Sequence, residues 1–342
     1  MKRLSYEIFF SVKSVSKLLD NCSNWLYSSP YQNIDYLKLA LRNHHFYSLI
    51  RMTRPFFIKF SMNDEAIMIL PLSKSIFSAN YFMFGDRAGF GYVDVLCRDN
   101  ISSSDINACF EMLMKEFSDS SFHFNRVKKD SLIYPILNMI SSPRDCEDCV
   151  KIDLVGNYDD YFESLSKNAR QNFRTANNRI LKASKDLSFT RVSGKDISRD
   201  LLDEMIALYL KRLNSHYKSV NFFDGIFYKT FDLGFISMKN LDFTEVFLMY
   251  IDGKLAAFML CLRNGDELLV PRLAIDASFS FYSPGVLLVN YAIKYLLNDG
   301  VIKTFDLMQG KEAYKFQVGG AMHQCFSFEL SKGSLKATAN AS

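Results

Sequence analysis

Apolar positions along this chain change period several times, and the changes delimit elements. Apolar runs at 55–60 and 66–70 flank Asn63-Asp64, which predicts a β-hairpin. Strand-like runs follow at 81–84 and 92–96. The cluster Ser102-Ser103-Ser104-Asp105 supplies an N-cap for a helix reaching Phe117, and a strand at 122–127 and a short helix at 132–140 come next. Residues 31–42 have helical periodicity. Ser141-Ser142-Pro143-Arg144-Asp145 is the strongest punctuation in the sequence and predicts a domain boundary.

Past that boundary the pattern recurs. A strand at 150–154 precedes one or two helices over 158–185 and a helix at 201–216. Residues 243–250 and 255–262 flank Asp252-Gly253, a strong hairpin signal. A turn at Asn264-Gly265-Asp266 leads into a strand at 267–275, and a helix at 285–297 stops at Asn298-Asp299-Gly300. Strands at 302–307 and 325–330 flank a turn or short helix at 311–316. Each half runs helix, hairpin, strand, helix, strand, which predicts a duplicated α/β unit. The expected domains are 1–145 and 146–335, with a frayed tail at 336–342.

Composition narrows the class without deciding it. The 342 residues suffice for two cores, and 49% apolar with 23% charged residues is ordinary for globular chains. A net charge of +4 does not suggest a bulk nucleic-acid binder, so any anion recognition has to be local. The apolar runs are too short for a signal-peptide core or a membrane span, and a cytoplasmic chain is expected. Seven scattered cysteines make no disulfide framework, and the single CxxC, Cys146 and Cys149, is not completed as a metal site. We expect surface thiols there, and no metal; His44 and His45, adjacent in sequence, do not supply the missing ligands.

Local anion recognition has two candidates. Tyr282-Ser283-Pro284-Gly285-Val286 joins a strand to a helix, where backbone N–H groups without intrahelical partners favour bound phosphate. The matching join in the first half offers only Ser and Asp, so the anion site is expected in the second half alone. The second candidate is a basic run: residues 164–185 carry Lys167, Arg170, Arg174, Arg179, Lys182 and Lys185 and no acid. Leu165, Ala169, Phe173, Ala176 and Ile180 form the expected buried stripe, and Lys167, Arg170, Arg174 and Asn178 an adjacent face suited either to a polyanion or to solvent.

Chemistry concentrates in residues 305–315. Asp306 near a strand's C-terminal end is a candidate proton acceptor, and Tyr314 a candidate donor to a leaving thiolate beside the cation Lys315. Arg272 interrupts an apolar strand and must be paired or face a cleft. Pro271 before it cannot donate to a ladder, so the strand is an edge, bulged or splayed there. His216, at the end of a helix, is a weaker candidate base.

Residues 282–288 (YSPGVLL), 305–315 (FDLMQGKEAYK) and 165–174 (LSKNARQNFR) together resemble the GNAT-like acetyltransferases of the cellulose-biosynthesis (CelD/BcsL) type, relatives of the FemAB aminoacyltransferases. Ile69-Leu70-Pro71-Leu72 and Tyr92-Val93-Asp94-Val95-Leu96 also fit. The resemblance implies an α/β (α+β) chain of tandem GNAT-like domains, each a mixed, mostly antiparallel sheet flanked by helices. It implies transfer from acetyl-CoA or another acyl-CoA to an amine or hydroxyl on a sugar or polysaccharide precursor. Arg272, Tyr282, Ser283, Pro284, Gly285 and Val286 would hold the acyl-CoA, Asp306, Tyr314 and Lys315 would serve catalysis, and Lys167, Arg170, Arg174 and Gln309 would meet the acceptor. The family often has a basic residue where Gln309 stands. The implied partner is a small-molecule or glycan acceptor, with peripheral association to membrane-bound polysaccharide machinery. Alternatives are aminoacyl transfer from tRNA in the FemAB manner, or a non-catalytic module of such machinery.

Overall fold

The computed structural model describes residues 3–22, 25–42, 52–85, 91–216 and 238–333, with backbone only at 213–216. His44, His45, the His216 side chain and the expected tail at 336–342 lie outside the described residues. The chain forms two compact units, residues 1–147 with 324–342, and residues 148–323.

The first unit contains β1 (Leu4–Phe9), α1 (Val12–Asp20), α2 (Ile34–Arg42), β2 (Thr53–Met62), β3 (Glu65–Ser75), β4 (Asn80–Met83), β5 (Leu96–Cys97), α3 (Ser103–Glu116), β6 (Ser121–Lys128) and α4 (Tyr134–Ile140). In chain order the second contributes β7 (Asp145–Asp153), α5 (Tyr158–Ser164), α6 (Lys167–Lys182), β8 (Leu187–Ser193), α7 (Arg199–His216), β9 (Thr244–Ile251), β10 (Lys254–Asn264), β11 (Glu267–Ile275), α8 (Pro284–Asp299), β12 (Thr304–Gln309) and α9 (Ala313–Gln317), and β13 (Ala321–Leu330) returns largely to the first. Strand order is β1-β2-β3-β4-β6-β13 in the first unit and β7-β12-β11-β10-β9-β8 in the second. All pairs are antiparallel except β4 with β6 and β11 with β12, each joined through a crossover that contains a helix.

Both hairpins follow from their turns. Asn63 and Asp64 have φ of 50° and 67°, and Asp252 and Gly253 have φ of 50° and 72°. Two successive left-handed residues give the twist that a two-residue hairpin needs, and Asn, Asp and Gly tolerate it best.

One strand belongs elsewhere than local sequence suggests. β13 follows the second half in sequence but pairs with β6 over Cys325–Lys128 to Leu330–Phe122, and Phe328 and Leu330 join the first unit's core. β7, expected in the second half, pairs there with β12 from Cys149–Gln309 to Asp153–Thr304. The last strand, expected within 146–335, thus belongs largely to the first unit. Sequence periodicity also missed β1, α1 and β8, whose strand patterns are short and half-polar.

In the second unit, Phe247, Met249, Met259, Leu268 and Phe305 from the sheet pack against Ala169, Phe173, Ala176 and Ile180 of α6 and Leu288, Ala292 and Ile293 of α8. The α6 stripe is the one its spacing predicts. Cys146 is exposed and Cys149 buried, so the CxxC is not a pair of surface thiols, since residues three apart on a strand face opposite sides.

The run at 92–96 is a strand only at its end. Asp94, 0% exposed, explains this: its carboxylate accepts from the Ser28 hydroxyl and from the N–H groups of Val95 (2.9 Å), Leu132 (2.9 Å) and Ile133 (3.3 Å). It therefore joins three loops. Burial, outweighing these hydrogen bonds, raises its pKa from 3.8 to about 6. A carboxyl whose pKa is raised on folding adds stability that is complete below the unfolded value and lost as pH rises through the folded one. The difference in unfolding free energy between the wild type and Asp94→Asn should therefore shrink between pH 4 and pH 7, by up to about 3 kcal/mol. Denaturant unfolding at the two pH values measures it, and a pH-independent difference would contradict the assignment.

Candidate functional site

The parallel ladder between β11 and β12 is short. It pairs Glu267 with Thr304, Leu268 with Phe305 and Leu269 with Asp306, although β11 continues to Ile275 and β12 to Gln309. Each strand has a bulge just beyond the last pair. On β11, Leu269 and Arg272 stand opposite Leu262 and Leu260 of β10, which leaves Val270 and Pro271 as the irregular step. That agrees with the reading of Pro271, which has no N–H to donate. On β12, Asp306 and Gln309 stand opposite Lys151 and Cys149 of β7, and Met308 within this step has φ of 57°. Two carbonyls of β11 beyond the ladder are taken by guanidinium groups: Arg272 Nη1 donates to Pro271 O at 2.7 Å and Arg212 Nη1 of α7 to Leu273 O. Arg272 also lies 5.7 Å from the Tyr209 ring centroid.

The chain leaves β11 through a 3-10 turn, Ala277–Tyr282, and enters α8 at Pro284. Ser283 is left-handed (φ 53°, ψ 51°) and its side chain makes no capping bond, and the first turn of α8 carries no acid. The first-turn N–H groups of Gly285 and Val286 thus meet no side-chain acceptor at the cap. The matching helix of the first unit, α3, differs on both counts: Ser102 caps it by accepting from Asp105 N–H, and Asp105 puts a carboxylate in its first turn. Of these two helices, α8 alone presents an uncapped positive end.

Gly285 has a packing role besides. A Cβ there would sit 3.2 Å from Ile275 Cγ2 and 3.9 Å from Leu273 Cδ2, so glycine lets the start of α8 close onto the end of β11. Arg179 of α6 holds the preceding turn, donating to Phe281 O at 2.9 Å with its guanidinium 4.6 Å from the Phe281 ring centroid. This cation beside the turn was counted in the basic run but not assigned to the site.

The segment after β12 is tightly organised. Lys315 is 2% exposed, and its ammonium donates to the carbonyls of Met308 (3.2 Å), Gln309 and Gly310 (3.3 Å) and pairs with Glu312 at 3.1 Å. It is a clamp on this loop, where a cation facing substrate had been expected. Asp306 is 0% exposed, accepts from Met308 N–H at 2.7 Å, and lies 3.5 Å from Nε2 of His323. Such burial keeps it from touching an acceptor directly. Tyr314 is half-buried; burial and then Glu312 push its phenol pKa up while Arg212 pulls it down, so the hydroxyl stays protonated at neutral pH. Gln309 Nε2 is buried with no hydrogen-bond partner among the described residues.

The basic positions of α6 are mostly exposed. Lys167 and Arg174 are exposed on the side roughly opposite the buried stripe, not adjacent to it. Arg170 donates to Glu163 O at 3.2 Å, and Lys185, outside that row, pairs with Asp252. β11, the α8 turn and the 305–315 loop thus follow from the end of the β11–β12 ladder. Arg212, Tyr209 and His323 meet these segments and were missed, since nothing local in their sequence distinguishes them from surface residues.

Residues 167–316 match the acetyltransferase (GNAT) domain family. Among solved structures the chain is similar to FemX, at 11% identity over 96% of this chain and 98% of that one, with a TM-score of 0.57. It is similar to a tandem GNAT protein from the clavulanic acid biosynthesis pathway, at 9% identity, 97% and 99% coverage and a TM-score of 0.51. It is also similar to L-PGS from Bacillus licheniformis, at 10% identity, 86% and 91% coverage and a TM-score of 0.50. No curated protein matches the sequence. The fold is that of tandem GNAT proteins, with mostly antiparallel sheets flanked by helices.

Because a side chain at 285 would press on Ile275, Gly285→Val should cost about 1–3 kcal/mol of stability, with Gly285→Ala milder. Thermal unfolding without ligand measures it, and a Val variant as stable as the wild type would show that α8 does not need this close approach.

Proposed function

We propose that this protein is an acyl-CoA-dependent N- or O-acyltransferase. The observation that carries the reading is that the β11–β12 ladder ends at Leu269–Asp306 while β11 leads, through one short turn, to the uncapped start of α8. An extended thioester fits beside the strand edge freed by the bulges, with its phosphates at the first-turn N–H groups of Gly285 and Val286 beside Ser283 and Tyr282. Arg179 adds a cation at that turn, and the unpartnered Gln309 amide a donor at the end of β12. When bound, the thioester supplies an activated acyl carbon. Protein groups then orient the acceptor and move protons, and the Tyr314 hydroxyl is the candidate donor to the departing sulfur.

The acceptor is a sugar or polysaccharide precursor of the cell envelope in this reading. That finer step is supported by the resemblance to the cellulose-biosynthesis type acetyltransferases. Among the described residues no helix is long and apolar enough to cross a membrane, so contact with membrane-bound machinery would be peripheral. A second reading, aminoacyl transfer from tRNA, is favoured by one observation, the solvent-facing Lys167 and Arg174 of α6.

Acetyl-CoA or a longer acyl-CoA should raise the melting temperature, since a ligand at a hundred times its Kd stabilises the native state by about 2.7 kcal/mol. No shift with acetyl-, succinyl- or palmitoyl-CoA, together with salt-sensitive binding of aminoacyl-tRNA in a filter assay, would replace the first reading by the second.

A further inference from the structure

Single exposed apolar side chains are ordinary on a protein surface, but the first unit exposes three together. Residues 76–79, which join β3 to β4, are all exposed, with Ile76 at 53% and Phe77 at 79%. Met52, at 45%, stands just before β2, and the Ile76 N–H donates to its carbonyl at 3.0 Å. The loop is bonded at both flanks. Phe77 N–H donates to Ser75 Oγ at 3.3 Å, and Ala79 O accepts from the Ser121 N–H of β6 at 3.1 Å. A backbone fixed in this way keeps the three side chains in solvent, where each forgoes the gain that burial would bring.

Charge is arranged behind this apolar tip. In the β2–β3 ladder Thr53 pairs with Ser75 and Arg54 with Lys74, two residues back from Met52 and Ile76. Like charges directly opposite on paired strands repel. Arg54 is exposed, and the Lys74 ammonium lies 5.3 Å from the Tyr81 ring centroid and 5.8 Å from that of Phe56. Residues 75–80 contain no acid, and among the described residues no carboxylate pairs with Arg54 or Lys74. Glu116 and Asp119, which precede β6, are exposed, and Glu116 accepts from the Tyr6 hydroxyl at 3.3 Å.

We propose that this tip docks the protein on an anionic membrane surface. Phe77, Ile76 and Met52 enter the boundary between headgroups and acyl chains, and Arg54 and Lys74 meet lipid phosphates. Such a surface supplies both the counter-charge that the Arg54–Lys74 pair lacks and an apolar layer for the side chains beyond it. A second protein fits less well. Three side chains on an exposed loop fall short of the roughly 800 Å² per partner that a stable interface buries, whereas a bilayer needs no complementary groove. Two basic groups and three apolar side chains give a contact that is reversible and weakened by salt.

Co-sedimentation of the full chain with lipid vesicles tests this. Vesicles of phosphatidylglycerol mixed equally with phosphatidylcholine should bind the protein at least about tenfold more strongly than phosphatidylcholine alone, and added NaCl should weaken the binding. Phe77→Ser should lower the partition coefficient by about tenfold. Arg54→Gln combined with Lys74→Gln should lower it by about 25-fold, at about fivefold per charge. In Phe77→Trp, fluorescence emission should move to shorter wavelength on adding the mixed vesicles, beyond any change that Trp25 shows in the wild type. Wild-type protein that ignores anionic vesicles overturns the proposal, as does an unshifted Phe77→Trp emission. So does binding that survives both sets of tip variants, or that is lost instead in Lys167→Gln with Arg174→Gln. Tip variants that turn a dimer into a monomer in sedimentation velocity, without vesicles, would assign the patch to a second copy of this chain.

Discussion

Most of the second unit's organisation follows from the early end of one parallel ladder. Pro271 has no hydrogen to donate and Met308 turns left-handed, so β11 and β12 stop pairing after Leu269 and Asp306. Backbone groups stripped of partners in a folded interior cost about 1–3 kcal/mol each. Guanidinium groups from Arg272 and Arg212 take up two of the β11 carbonyls, and the ammonium of Lys315 takes up three on and after β12. The opening is held by charge-assisted bonds, which explains why two arginines and a buried lysine crowd a region where most neighbours are apolar.

The two units repeat one plan and part company at a helix start. In each, a hairpin leads to a strand, a crossover helix and a parallel partner. α3 is closed by Ser102 and Asp105, so its positive end is already satisfied by protein atoms. α8 begins at Ser283 without a side-chain cap, and its dipole is left for something else to complete. The difference between an end that stabilises its own helix and one that can hold an anion comes down to a few side chains.

What was legible in the sequence was mostly what neighbouring residues decide. Asn63-Asp64 and Asp252-Gly253 specify their hairpins through backbone conformation, the stripe from Leu165 to Ile180 specifies the buried side of α6, and Pro271 announces an irregular strand. Asp306 and Lys315 were noticed as charged groups in a suggestive place. Their burial depends on strands far away in sequence, which no local pattern encodes. His323 was invisible for the same reason: it lies beside Asp306 only because Gly319 and Gly320 bring the chain against β7. β8 and β1 escaped because short half-polar strands carry too little periodicity.

The placement of β13 has a consequence for how the protein is made. β6 of the first unit pairs with β13, which follows all the strands of the second unit in sequence. During synthesis the first unit therefore has its helices and most of its sheet in place while β6 still shows an open edge, a template for pairing with other chains. That edge closes only after residues 325–330 leave the ribosome. Loss of the chain beyond β12 would thus leave the first unit an unfilled strand position, whereas the strands of the second unit, β7 to β12, lie within one continuous stretch.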